Sequence, residues 1–414
     1  DSKQISGIKN LFTGSDNLSR FQRLYLPGFL LAMLADWLQG PFVYALYQGY
    51  GIDREHNGYL FVGGFGASAI FGTIVGSLAD KYGRRKFAIL YCMIYFGHCA
   101  TKHWGFFKVL MLGRVLGGIS TSLLFSVFDS WLVSESQREN FSGEQLGNTF
   151  SLAYFGSSVA AIIAGQFGEL AANVTPLTKL GGGMYYGGYI APFDLANVVL
   201  VLCMIYISTK WSENYGESRE QAGGSFGKAM GAIINNKKVL LCGLICSSFE
   251  SSMFIFVFNW TPCLMEPDQP VPPFGHIFTG FMIFCLLGTR VYAYLSKTMA
   301  VEQIGLLIMA VSGACHLTVY LFQNVQIRFV AFLVFEACVG LYFPMMGTLK
   351  GDIVPEDMRS TIYNIYRLPL NIVVLMPLLM NFSISTTFFV TTSILGVAVF
   401  SAYTLKKMPK EGDV

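Results

Sequence analysis

Residues 76–86 read Gly76-Ser77-Leu78-Ala79-Asp80-Lys81-Tyr82-Gly83-Arg84-Arg85-Lys86, a basic turn that joins two apolar runs, 57–80 and 87–103. Gly76 permits close helix contact and Gly83 permits a tight turn. Asp80 is placed to accept hydrogen bonds from the loop arginines or from a neighbouring helix N-terminus. A membrane-spanning helix needs about 20 mostly apolar residues, so the turn with its flanks reads as a transmembrane hairpin. The same alternation continues along the chain. Apolar segments cover 24–50, 57–80, 87–103, 106–134, 147–172 and 191–211, then 238–264, 275–297, 299–323, 327–350, 360–382 and 386–405. Between the two sets lies 212–237, a polar, glycine-containing stretch with the composition of a surface linker.

Composition agrees with twelve spans. Only 13% of the 414 residues are charged, against about 25% in soluble proteins. Hydrophobic residues make up 53% and mean hydropathy is +0.51. Those figures argue against an ordinary cytosolic enzyme and exclude a disordered chain. The net charge of +3 is too small to point to nucleic acid. The nine cysteines lie almost wholly in apolar runs without a CxxC pair, and read as small core residues that need no disulfide or zinc site. The chain starts at Asp1 rather than Met, which suggests a missing or trimmed leading segment.

Lysine and arginine set the expected orientation. With the N-terminus in the cytoplasm, 20 of the 28 cationic residues fall in the tails and cytoplasmic loops, 5 on the opposite side, and Arg114, Arg290 and Arg367 within spans. The expected organisation is a cytoplasmic tail (1–23), a six-helix bundle (24–211), a cytoplasmic linker (212–237), a second six-helix bundle (238–405) and a cytoplasmic tail (406–414). The sequon Asn173-Val174-Thr175 falls in an outer loop, and Gly181–Gly183 with Gly187-Gly188 reads there as a flexible connection. An internal repeat is visible. Leu112-Gly-Arg-Val-Leu-Gly-Gly118 and Val334-Phe-Glu-Ala-Cys-Val-Gly340 stand 222 residues apart, and Gly72-Thr73 corresponds to Gly288-Thr289. Two similar halves suggest a transporter with its site between them.

The 76–86 string resembles the signature of the major facilitator superfamily, at the position between spans two and three where that family carries it. Further strings are Asp36-Trp-Leu-Gln-Gly-Pro-Phe-Val-Tyr44, Leu112–Phe125 with Asp129-Ser-Trp131, and Ala191-Pro-Phe-Asp194. Others are Phe249-Glu250 with Trp260-Thr-Pro262, Phe335-Glu336 with Gly340–Pro344, and Arg367-Leu-Pro-Leu-Asn371. Together they resemble the molybdate-anion transporter branch over nearly the whole chain. The resemblance implies an all-α polytopic membrane protein of the major facilitator fold, with about twelve transmembrane helices in two pseudo-symmetric bundles. It implies a secondary, alternating-access transporter importing molybdate or a similar oxyanion through a central cavity, and no enzyme activity. Asp80, Gly83, Arg84 and Arg85 would latch a cytoplasmic gate, with Asp129 and Glu135 pairing to Arg84 or Arg85. A plasma-membrane location with both termini cytoplasmic goes with this reading. No cofactor or metal is expected, and Gly223 to Lys228 fails as a nucleotide loop because Ala222 and Ala229 occupy its key positions.

In that fold spans one, four, seven and ten line the cavity, and Asp36, Arg114, Glu250 and Glu336 come one from each. Charge inside a bilayer costs a few kcal/mol and normally faces a cavity or a partner. Arg114 and Arg367 suit a tetrahedral oxyanion, because a guanidinium offers forked N–H donors. Gln39, Tyr44, Asn259, Tyr363 and Asn371 can add neutral donors. The acids Asp36, Glu250 and Glu336 either carry coupled protons or form structural ion pairs with the two arginines. Arg290 reads as snorkelling, and Asp194 as a helix-start residue. Expected partners are thus the oxyanion, a coupled proton and the lipid bilayer. Two other readings stay open: a transporter of another small anion or polar metabolite, and a non-transporting sensor or scaffold with the same fold.

Overall fold

The computed structural model describes residues 16–72, 74–216, 226–266, 269–355 and 358–409. Most of the N-terminal tail, Thr73, the middle of the linker (217–225) and the last five residues lie outside the described residues, and so does part of the Gly223 to Lys228 string. The chain divides into two compact units, one of residues 1–219 with 273–279, the other of 220–272 with 280–414.

In the first unit, α1 (Asn17–Gln39) continues through the 3-10 turn Gly40–Phe42 into α2 (Val43–Gly49). Pro41, which has no N–H to donate, sits at this junction. Then come α3 (Arg54–Gly72), α4 (Val75–Tyr82) and α5 (Arg84–Ala100), the last extended by the 3-10 turn Thr101–His103. The long α6 (Phe107–Arg138) and α7 (Gly143–Ala172) follow. A hairpin, β1 (Thr178–Gly181) with β2 (Met184–Tyr186), leads to α8 (Ala191–Lys210). The second unit holds α9 (Phe226–Asn235), α10 (Lys237–Cys263), α11 (Phe274–Leu295, whose first turns cluster with the first unit), α12 (Val301–Leu321), α13 (Val325–Ile353), α14 (Arg359–Leu379) and α15 (Ile384–Lys406).

Among the described residues, ten helical segments are long and apolar enough to cross a membrane, and the α3–α4 pair makes an eleventh. The twelfth expected span is α5, only 17 residues long and opened by Arg84-Arg85-Lys86. The burial pattern suits lipid. Large apolar side chains such as Leu112, Phe125 and Phe400 are exposed, whereas Ser120, Ser251, Ser252 and Thr391 are buried. These hydroxyls return their hydrogen bonds to helix carbonyls, as Ser252 does to Ser248 O at 2.9 Å, which spares their hydrogens from lying unpaired in hydrocarbon.

Glycines fix the closest crossings. A Cβ on Gly118 of α6 would stand 2.3 Å from Gly64 O of α3, and one on Gly340 of α13 would stand 1.8 Å from Cys285 O of α11. Gly118 and Gly340 are the last residues of the two repeat strings, so the repeat marks the same kind of contact in each unit. Gly113 and Gly117 face side chains of the α5 segment rather than a helix backbone. Gly113 makes room for Thr101 and Lys102, and Gly117 for the His98 ring.

The expected flexible loop is instead the β1–β2 hairpin. Gly181, Gly182 and Gly183 take φ of 114°, 56° and 75°, values that favour glycine, and turn the chain between its strands. The linker also differs from expectation at both described ends. Residues 212–216 are strapped against the first unit, and α9 makes an amphipathic helix of 226–235. Trp131, which stacks on Trp211 at 4.1 Å, donates from Nε1 to Ser212 O at 2.8 Å. Asn214 Nδ2 donates to Trp131 O at 3.1 Å.

Candidate functional site

The basic turn between α4 and α5 is held from three sides. Arg84 pairs with Asp80 at 2.7 Å, one helical turn before it. Gly83, at φ 112°, lets the chain reverse. The Glu213 carboxylate caps α5, accepting from Arg85 N at 2.8 Å and Lys86 N at 3.3 Å, where a helix end offers free N–H groups. Gly216 N donates to Asp80 O at 3.0 Å. The Arg85 guanidinium donates to Ser208 O. Asp129 and Glu135 therefore do not pair with Arg84 or Arg85 as expected. Asp129 accepts from Tyr154 OH at 2.9 Å, while Glu135 pairs with Arg138 and accepts from Ser212 Oγ at 2.9 Å. Arg84 is already paired with Asp80 and Arg85 donates to a backbone carbonyl, and Glu213 was not anticipated because it falls in the polar stretch read as linker.

Inside the first unit, Asp36 Oδ1 accepts from Tyr95 OH at 2.7 Å, and Gln39 Nε2 donates to the same phenol oxygen at 2.7 Å. Tyr44 is buried, its carbonyl accepting from Asn57 Nδ2 at 3.4 Å. Arg114 lies farther along. Its Nε donates to Leu60 O at 3.2 Å, its guanidinium covers the Phe61 ring at 4.6 Å, and Gly64 leaves it space. It stands beside the Tyr47 hydroxyl, to which Lys102 Nζ donates at 2.9 Å. Lys102, expected as a loop cation, is fully buried under Tyr47 and Phe193. Tyr91, Tyr95, His98 and Lys102 recur at helical spacing and are all buried, a stripe of polar groups on α5 and its 3-10 extension. That spacing was the available signal. Asp194 lies in the first turn of α8, as expected, and pairs with His103 at 2.9 Å. This hydrogen bond raises the His103 pKa above its ordinary value.

In the second unit the centre is Glu250 on α10. Its Oε1 accepts from Tyr342 OH at 2.9 Å and Cys246 Sγ at 3.1 Å, with Lys350 Nζ at 3.6 Å. Lys350, expected in a loop, turns inward from the last turns of α13 and stands 5.1 Å from the Tyr363 ring. Tyr363, Arg367 and Asn371 share one face of α14, at steps of four residues. Arg367 is exposed and makes no ion pair among the described residues. Glu336 is buried on α13 near Cys285, without an ion-pair partner among the described residues. Asn259 is buried on α10, and its amide returns to Ile255 O at 2.8 Å. Nine residues separate it from Glu250, which puts the two on opposite sides of the helix. The expected pairing of the acids with the arginines does not occur within either unit. Asp36 takes a tyrosine, Glu250 takes Lys350, and Glu336 takes neither arginine. Arg290 is exposed.

Residues 8–340 match a family described as sugar transporters with twelve transmembrane spans. The molybdate-anion transporter of Xenopus laevis is 34% identical over 373 residues, covering 85% of this chain and 76% of that protein. The chain belongs to the major facilitator superfamily, in its molybdate-anion transporter family. The crystal structure of the nucleoside transporter NupG superposes with a TM-score of 0.69 at 11% identity, over 95% of this chain and 100% of that one. The D-xylose-proton symporter does so at 0.69 and 12%, over 94% and 97%. At such identities the likeness is one of fold. This family member is a multi-pass membrane protein and a secondary transporter.

Proposed function

We propose that this transporter moves molybdate, or a tetrahedral oxyanion like it, into the cytoplasm across the plasma membrane. It would do so by alternating access, with both termini cytoplasmic. The observation that carries the reading is the state of two of the three arginines within spans: neither Arg114 nor Arg367 is neutralised by a carboxylate among the described residues. An anion is the partner such groups lack, and the printed name of the Xenopus relative supplies its class. In this reading Arg114 and Arg367 contact the anion, with Gln39, Tyr44, Tyr363 and Asn371 as neutral donors. Asn259 contributes to packing at its back-bonded position. Glu336 carries a coupled proton, and Asp36 and Glu250 hold the donors around them. Asp80, Gly83, Arg84 and Arg85 form the latch, with Glu213 in the place expected for Asp129.

The test is a thermal-shift panel on the purified transporter with molybdate, tungstate, sulfate, uridine and xylose. Saturable stabilisation by the oxyanions alone supports the reading. Stabilisation by uridine or xylose without any by the oxyanions overturns it.

A further inference from the structure

The first unit holds an imbalance of charge that the roles above leave unexplained. Lys102 is fully buried, and among the described residues its ammonium has one hydrogen-bond acceptor, the Tyr47 hydroxyl, with the rings of Tyr47 and Phe193 at 5.2 and 5.9 Å. Arg114 stands beside the same hydroxyl. Its own hydrogen bond goes to a neutral carbonyl, Leu60 O. Two cations thus share one neutral oxygen, and glycines at 64 and 113 leave their heads room. The acids at this end of the unit are bound elsewhere. Asp194 goes to His103, Asp53 to His56, Glu55 to Tyr59, and Asp36, deeper in, to Tyr95. A buried ammonium without a counter-charge is costly; it either gives up its proton or pairs with an anion, and an anion bound beside it restores its charge.

We propose that Lys102, Arg114 and the Tyr47 hydroxyl form a dianion-selective subsite of this transporter, which takes a tetrahedral oxyanion of charge −2. The inference rests on the assignment of Arg114 to substrate and adds the residue that reads the ligand's charge. Arg114 supplies the forked donors, Tyr47 a neutral O–H, and Lys102 the second positive charge. A monoanion of the same shape balances only one of the two cations, so shape alone does not satisfy the site.

The experiment compares the apparent affinity of the purified transporter for molybdate (dianion) and for perrhenate (tetrahedral monoanion) by thermal shift. It uses wild type, Lys102→Gln and Lys102→Arg. Lys102→Gln keeps a donor toward Tyr47 and removes only the charge. Lys102→Arg keeps the charge and covers the case in which the glutamine variant does not fold. The expected result is at least a tenfold wild-type preference for molybdate, lost in Lys102→Gln through weaker molybdate binding with perrhenate little changed, and kept in Lys102→Arg. A purely structural lysine would weaken both anions alike, and that outcome overturns the subsite. So does a Lys102→Gln variant with wild-type preference, or a Lys102→Arg variant that has lost it. These outcomes leave oxyanion transport itself standing. If no oxyanion stabilises the wild-type protein, the subsite and the proposed function fall together.

Discussion

Glu250 gathers a phenol, a thiol and an ammonium around one carboxylate oxygen. Removing its charge as Glu250→Gln keeps the volume and leaves Lys350, only 17% exposed, without its carboxylate. The cost should be about 1–3 kcal/mol, the range for stranding a buried polar group. Lys350→Met should cost a similar amount, and the double variant less than the sum, because the charges go together. Melting curves followed by tryptophan fluorescence measure the cycle, and strict additivity would contradict the pair. His103 gives a prediction about pH. Its pKa is raised by the hydrogen bond to Asp194, so the contact stabilises the folded protein fully below about pH 6.5 and loses its contribution as pH climbs through the raised value. The melting temperature of wild type should therefore exceed that of His103→Gln at mildly acidic pH, and the two should converge at alkaline pH. At this scale the sequence was readable only in part. Arg114 and Glu250 stood out as charges within apolar runs. Lys102 and Lys350 did not, because each falls at the end of a run, where hydropathy cannot tell an inward side chain from a loop cation.

The elements were more legible, since a run of about 20 apolar residues has few other uses. The repeat strings ending at Gly118 and Gly340 meant more than similarity: each glycine sits where two helix backbones nearly touch. Gly340→Ala would force α11 and α13 apart and should cost about 1–3 kcal/mol. Gly347→Ala, where nothing lies within 4 Å, should be neutral or slightly stabilising. Thermal melting of both variants checks this, and equal effects would contradict it. The strap at 212–216 escaped the sequence reading for a physical reason. Its hold comes from Trp131, Glu135 and the free N–H groups of α5, which lie far away in the chain. Glu213→Ala should remove the cap on α5 and lower stability by about 1 kcal/mol. A melting temperature unchanged from wild type would argue against the cap.

For the whole molecule, low charge and an uneven distribution of cations fix the class before any single residue is considered. The fold family follows from the 76–86 string and its companions, and both the family match and the solved structures agree with it. Substrate lies at a finer level, because an oxyanion is chosen by how a few cations are left unpaired, and that depends on contacts between residues distant in sequence. Flux is the most direct measure of the central claim. Purified protein in sealed proteoliposomes free of ATP should take up labelled molybdate saturably, with tungstate competing and with Arg114→Ala reducing uptake to the level of empty liposomes. Absence of saturable uptake by the wild-type protein, or undiminished uptake by Arg114→Ala, would contradict the account.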